Sequence, residues 1–213
     1  MTDTGLLIVL SGFSGSGKGT IMKELLERYP KEYALSISAT TRAPREGEQD
    51  GREYFFKTKE EFLQMIEQNE LLEYARYVDN YYGTPKAYVR EQLARAKNVI
   101  LEIEIQGALK IKEQFPETIL LFVTPPSALI LKERLTGRGT ETEDVIRARL
   151  ARAVDEADGC EVYDYLIVND KLEDSVQEVH DIIRGERRRM NRNLNAIETI
   201  KTELKQFVKE NRV

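Results

Sequence analysis

Hydrophobic residues along the chain fall into two kinds of run. Leu6–Leu10 (LLIVL) is short, continuous and bounded by Gly and Ser, the pattern of a strand buried on both faces of a parallel sheet. Val99–Ile103, Ile119–Val123 and Tyr165–Val168 repeat it, with helical segments between them. From Lys18 to Tyr29 the spacing changes: Ile21, Met22, Leu25 and Leu26 recur at helical intervals until Pro30 stops the run. Strand, glycine-rich turn and helix therefore open the chain. The alternation that follows predicts an α/β fold around a doubly wound parallel sheet.

Two stretches break this rhythm. Between Ser36 and about Ala96 the chain is polar and turn-rich (TTRAPREGEQDGREYFF), then helix-like (EEFLQMIEQ), then tyrosine-rich (YARYVDNYYGTP), which predicts an inserted lobe. Thr84-Pro85 reads as a helix start, with Thr capping the first free N–H groups and Pro at the first helical position. TGRGTETED, residues 136–144, predicts a smaller mobile segment that enters a helix through a capping box of Thr140 and Glu143. Beyond Arg187 no Gly or Pro interrupts the chain, and Leu194, Ile197, Ile200, Leu204, Phe207 and Val208 fall on roughly one face. An exposed stripe of that length invites aggregation, so the face is expected to be buried, in cis or across a dimer.

Composition narrows the classes. The 213 residues suffice for one large α/β domain with inserted lobes and a real core. Charged residues make up 32%, but both signs are mixed and the net charge is −5, so nucleic acid and anionic membrane are not expected as partners. A single cysteine, Cys160, excludes an intramolecular disulfide framework. With no visible secretory signal or membrane-spanning run, the reading is a cytoplasmic protein.

The chemistry begins directly after the first strand. Gly12-Phe13-Ser14-Gly15-Ser16-Gly17-Lys18 matches G-x-x-x-x-G-K, the phosphate-cradling loop. Its glycines let consecutive backbone N–H groups converge on phosphates, the following helix N-terminus adds partial positive charge, and Lys18 supplies a full one. Gly19 departs from the many loops that carry a Ser or Thr hydroxyl for Mg²⁺ at this place, which leaves Thr20 as the nearest hydroxyl.

The order SGFSGSGKGT, SATTRAPREGEQDGREYFF, LLEYARYVDNYYGTP, ILEIEIQG, RLTGRGTETED, YLIVND resembles that of guanylate kinases over about residues 6–187. The resemblance implies a P-loop core (1–37, 96–135 and 151–187), a GMP-binding lobe (38–95), a lid (136–150) and a C-terminal helical tail (188–213). It also implies transfer of the γ-phosphoryl group of ATP to GMP or dGMP with Mg²⁺, without nucleic acid or membrane; a homodimer stays open.

By the same resemblance, Gly12, Ser14, Gly15, Ser16, Gly17, Lys18, Gly19 and Thr20 bind ATP, with Asn169 beside the adenine. Arg42, Arg45, Tyr54 and Tyr82 clamp the GMP phosphate, where guanidinium forks match phosphate oxygens and phenols add neutral donors. Singly each would be a surface arginine or a packed tyrosine; together in the motif they favour function. Ser38, Glu73, Thr84 and Glu104 read guanine. A carboxylate at Glu73 accepts from both N1–H and N2–H of guanine, whereas adenine turns a lone pair toward it.

Glu102 and Glu104 sit in an apolar strand, where period two puts both side chains on one face, and two buried carboxylates need a cation. Glu102 is assigned to the Mg²⁺ water shell and Glu104 to guanine. Many family members carry an Asp in this segment, so Glu at both positions is a departure. Arg134, Arg138 and Arg149, with Lys18, surround the transferring phosphoryl group, where charge spreads over equatorial oxygens. Arg147 and Arg152 read as helix-surface charges, Arg187–Arg189 as a solvated helix face, and His180 as a surface or packed residue.

Three rival readings are weighed against this one. A scaffolding module of the same fold tends to lose the phosphate loop, which is intact here. A kinase acting on a phosphorylated ribose should lack Glu73 and the pair Tyr81-Tyr82. A nucleic-acid binder conflicts with the acidic balance.

Overall fold

The computed structural model describes residues 4–77, 79–137 and 142–210. Five parallel strands form the central sheet in the order β2 (Tyr33–Leu35), β7 (Asn98–Leu101), β1 (Leu7–Gly12), β8 (Ile119–Thr124) and β9 (Tyr165–Val168). Leu7 pairs with Val99 on one side of β1 and Ile8 with Ile119 on the other, so β1 is interior. Its side chains alternate between two cores. Ile8 and Leu10 join Ile21, Leu25, Tyr33, Leu121, Ile167, Val176 and Ile183 on one face. Val9 joins Val99, Leu101, Ala108, Ile111 and Leu120 on the other. Each fully buried Leu or Ile contributes about 1.5–3 kcal/mol, and the continuous apolar runs reflect burial on both faces.

Helices α1 (Lys18–Arg28) and α7 (Leu172–Arg187) cover the first face, and α3 (Lys86–Ala94) and α4 (Ile105–Gln114) the second. A second, four-stranded sheet follows the order β4 (Phe55–Phe56), β3 (Ala39–Thr40), β6 (Asn80–Pro85) and β5 (Leu71–Tyr77). It packs on α2 (Lys59–Glu67) through Ala39, Phe62 and Leu71. Thr58 and Glu61 form a capping box at the start of α2.

Several boundaries differ from the sequence reading. β7 ends at Leu101, so Glu102 and Glu104 are not paired on a strand; they lie in the connection to α4, and Glu104 is the residue before its first turn. Thr84 and Pro85 belong to β6, and α3 begins at Lys86 without a side-chain cap. The Thr84 hydroxyl is spent elsewhere, as described below. Thr140 lies outside the described residues, and α6 (Glu143–Ala157) is preceded by Thr142 with no side-chain cap bond.

The tail is not continuous with α7. A break at Arg188–Arg189 precedes α8 (Met190–Glu210). Arg187 is no solvated residue: its guanidinium donates to the buried Asn98 Oδ1 (3.1 and 2.8 Å). The buried Glu186 carboxylate accepts from the Tyr165 hydroxyl (2.5 Å), Arg189 (3.2 Å) and Arg192 (3.4 Å), fixing the α7–α8 joint. The expected burial of the α8 stripe does not occur within one chain: Leu194, Ile197, Ile200, Leu204 and Phe207 are all about half exposed, at 47–59%. His180 is packed, stacked on Tyr29 at 3.8 Å and hydrogen-bonded to the Tyr33 hydroxyl at 2.8 Å.

Candidate active site

The turn from β1 into α1 is built on positive-φ glycines: Gly12 (139°), Gly15 (94°) and Gly17 (96°). A Cβ on Gly12 would meet the Val123 carbonyl oxygen at 2.0 Å, so the neighbouring strand as well as the turn demands glycine. Lys18, the first residue of α1, curls over the loop and donates from Nζ to the carbonyls of Gly12 (2.7 Å) and Phe13 (3.0 Å). Burial pushes its pKa down, offset by Glu102, Glu156 and Glu104. Ser16 is fully buried, and its hydroxyl has no partner among the described residues. Gly19 has open space around it, and Thr20 is exposed.

Two residues that the resemblance assigns to ATP and the transferring phosphoryl group hydrogen-bond to the loop's own backbone. Asn169, following β9, is buried and donates from Nδ2 to the Ser16 carbonyl at 2.8 Å. Arg134, on α5 (Ala128–Thr136), donates to the carbonyls of Ser16 (3.3 Å) and Asn169 (2.8 Å). Both brace the loop. Arg149, on α6, is partly buried, and Arg138 lies outside the described residues.

In front of the loop two cavities of about 410 Å³ each adjoin. The first is lined by Gly12, Ser14, Lys18 and Glu156, the second by Ser38, Glu73, Tyr82 and Gly107. Tyr54, Glu102, Ile103, Glu104 and Arg152 line both. Glu102 thus does face the phosphate loop even though it is off the strand. Burial raises its carboxyl pKa, with Lys18 opposing the shift.

The second cavity owes its shape to the β5–β6 ladder. Leu71 pairs with Pro85 and Tyr74 with Gly83, so two residues of β5, Leu72 and Glu73, oppose the single Thr84. This bulge aims Glu73 at Thr84, whose hydroxyl donates to Oε1 at 2.7 Å. Burial raises the Glu73 pKa, and the Thr84 bond and Lys110 hold it back. A Cβ on Gly107, in the first turn of α4, would lie 3.4 Å from Glu73 Oε2, so the helix and the carboxylate meet closely.

Of the four clamp residues, Tyr54 and Tyr82 line this cavity, with rings 6.1 Å apart. Arg42 packs over the Tyr54 ring at 5.3 Å and is gripped by both oxygens of Glu48 (2.8 and 2.9 Å). Arg45 is exposed, and its backbone N–H donates to the same carboxylate (2.7 Å).

The G-x-x-x-x-G-K loop borders one cavity and the Glu73 carboxylate the other, and the two share one wall. A sequence model of guanylate kinase matches residues 4–186. The chain belongs to the guanylate kinase family. It is 53% identical over 188 residues to the guanylate kinase of Bacillus anthracis, covering 88% of this chain and 92% of that one. The guanylate kinase of Halalkalibacterium halodurans is 52% identical over 184 residues, covering 86% and 90%. A crystal structure of guanylate kinase from Anaplasma phagocytophilum superimposes with a TM-score of 0.70 at 34% identity, covering 89% and 90%. The chain is accordingly a kinase, a nucleotide-binding transferase that moves a phosphoryl group from ATP to GMP. Helix α8 lies beyond the matched residues 4–186.

Two residues of the cavity lining escaped the sequence reading. Arg152 read as a surface charge, yet it lines both cavities; Glu156 was not singled out, yet its Oε2 accepts from the Ser14 backbone N–H at 3.2 Å. The available signal was their spacing. Arg149, Arg152 and Glu156 recur at i, i+3 and i+7, one face of α6.

Proposed function

We propose that the first cavity holds the ATP phosphates and the second the guanine of GMP or dGMP, with phosphoryl transfer across their shared wall. The observation that carries this assignment is Glu73. It is a half-buried carboxylate with Oε1 held by Thr84, set in a cavity adjoining the one that Lys18 lines. Guanine offers two adjacent donors to such a carboxylate, and adenine offers a repelled lone pair. Ser38 and Glu104 line the same cavity and complete the base-reading set.

Lys18 and the backbone N–H groups of the loop, Ser14 among them, take the donor phosphates, and Arg134 and Asn169 hold the Ser16 carbonyl, which keeps the loop in shape. Tyr54 and Tyr82, with Arg42 and Arg45 behind them, take the acceptor phosphate. Arg138 and Arg149 take the charge that spreads over the transferring phosphoryl group. No general base is needed.

Mg²⁺ fits the donor set. Glu102 offers a hard-oxygen carboxylate in the cavity that Lys18 also lines, and no group of three or more His, Cys, Asp or Glu is clustered among the described residues. One carboxylate through water, with substrate phosphates supplying the rest, suits Mg²⁺ rather than an all-protein cage. Thr20, exposed and outside both cavities, does not join that set. Bound there, the ion would neutralise charge on the donor phosphates.

No described helix is long and apolar enough to cross a membrane, and Cys160 is free and exposed, which supports a cytoplasmic location. The chain pairs with a second copy through α8. Met190, Ile197 and Leu204 repeat every seven residues, as do Ile200 and Phe207, the spacing of a helix seam that covers itself in a dimer.

The acceptor tests the assignment. ADP release is measured with GMP, dGMP, AMP, UMP and ribose 5-phosphate; GMP and dGMP should turn over and the others should lag by two decades or more, on the order expected when buried polar groups are left unpaired.

A further inference from the structure

Arg152 stands between two carboxylates. Its Nη2 donates to Glu104 Oε1 on the wall of the base cavity, and its Nε lies 3.3 Å from Glu156 Oε1, one turn further along α6. The other oxygen of Glu156 accepts from the Ser14 N–H of the phosphate loop at 3.2 Å. The Arg152 guanidinium also sits 5.8 Å from the Tyr77 ring, which lines the base cavity. One unbroken chain of polar contacts therefore runs from a loop amide to the wall of the base pocket.

We propose that Glu156 and Arg152 form a relay through which filling of the phosphate cavity prepares the base cavity. This rests on the two-cavity reading above and adds positioning residues to it. Glu156 supplies the anion that the Ser14 N–H would otherwise receive from a phosphate oxygen. It is an internal competitor. A nucleotide phosphate arriving on the loop takes that N–H and repels the Glu156 carboxylate, since two anions cannot share one donor at close range. The freed carboxylate then competes for Arg152. Its guanidinium presents donors in a fixed fork, so turning toward Glu156 or the incoming phosphates loosens its hold on Glu104. Glu104 becomes available to the acceptor's base. By linkage the effect is reciprocal: acceptor binding that draws on Glu104 makes Arg152 available to Glu156 and eases nucleotide onto the loop.

Calorimetry on the full chain tests the relay, with ADP as the donor-site probe and GMP as the acceptor probe. Each is titrated alone and with the other saturating. The wild type should show tighter binding of the second ligand, by about 10-fold. Arg152→Ala should bring that factor below about 2, and so should Arg152→Lys, which keeps charge and fold but lacks the fork. Glu156→Gln should bind ADP alone about 3–10-fold more tightly, because the neutral amide is a weaker competitor for the Ser14 N–H. A merely structural role would lower Tm without changing the coupling factor. Full coupling retained in both Arg152 variants, or ADP affinity unchanged in folded Glu156→Gln, would overturn the relay while leaving the guanylate reading in place. Failure of the wild type to bind GMP at all would end both.

Discussion

Asn169 donates its amide to the Ser16 carbonyl at 2.8 Å, tying the segment after the last strand of the parallel sheet to the G-x-x-x-x-G-K loop. A Cβ on Gly17 would come within 2.3 Å of that amide, so the loop and Asn169 are fitted to each other. Asn169→Ala should cost about 1–3 kcal/mol of stability by loosening this buried contact, and should raise KM for ATP. The ratio of ATP to GTP use should stay constant, because a residue bracing the loop reads no base. Chemical denaturation and donor kinetics decide; a changed ATP-to-GTP ratio would restore the adenine contact implied by resemblance.

Lys18 and Glu102 share the phosphate cavity, and burial opposes the charge of each. Glu102 has its folded-state pKa raised, so the native protein binds more protons than the unfolded chain between the usual carboxylate value and the raised one. Stability therefore falls as pH rises through that window, and the cost persists at neutral pH. Glu102→Gln should raise Tm at pH 7, with the gain shrinking as pH falls toward about 4. The same variant should weaken the dependence of turnover on Mg²⁺. Thermal melts across pH check the sign; a Tm at pH 7 lower than wild type contradicts it.

Lys18→Ala should lower kcat by roughly two to three decades while the protein stays folded, since its charge serves phosphate rather than the core. Circular dichroism and turnover are compared on one preparation. Near-normal turnover in the folded variant would remove this loop as the donor site.

Helix α8 carries its apolar stripe outside the single-chain core. Removing residues 194–213 keeps the Arg192 bond to the Glu117 carbonyl (2.9 Å) and so preserves the α7–α8 joint. The sedimenting mass should fall from two chains to one, while each subunit stays folded. A full-length protein that sediments as one chain of 24.6 kDa contradicts the pairing.

The parts legible in the sequence are those where local chemistry decides. Continuous apolar runs announced the parallel strands, and G-x-x-x-x-G-K between strand and helix announced the loop. What stayed hidden depended on contacts between distant segments. Thr84 looked like a helix cap because Pro85 follows it; only the bulge opposite Glu73 shows where its hydroxyl goes. Glu102 and Glu104 looked like alternating strand residues, but β7 ends one residue earlier, and both reach the cavities from the connection instead. Arg152 gave the same local signal as any helix-surface arginine, and its position on both cavities follows from how α6 packs against α5 and Phe13. The stripe on α8 was visible, but amphipathicity states that a face will be covered without stating by what.

The central claim is that the half-buried Glu73 carboxylate selects guanine, and the most direct test is kcat/KM for GMP and for AMP in wild type and Glu73→Gln. The amide keeps size and one acceptor but removes the charge and adds a donor, so guanine loses a charge-assisted pair, worth about 1.5–3 kcal/mol, and adenine N1 gains a partner. The account predicts a GMP-to-AMP ratio lower by roughly one to two decades in a variant whose circular dichroism matches wild type. An unchanged ratio would contradict it and take Glu73 out of the base-reading site.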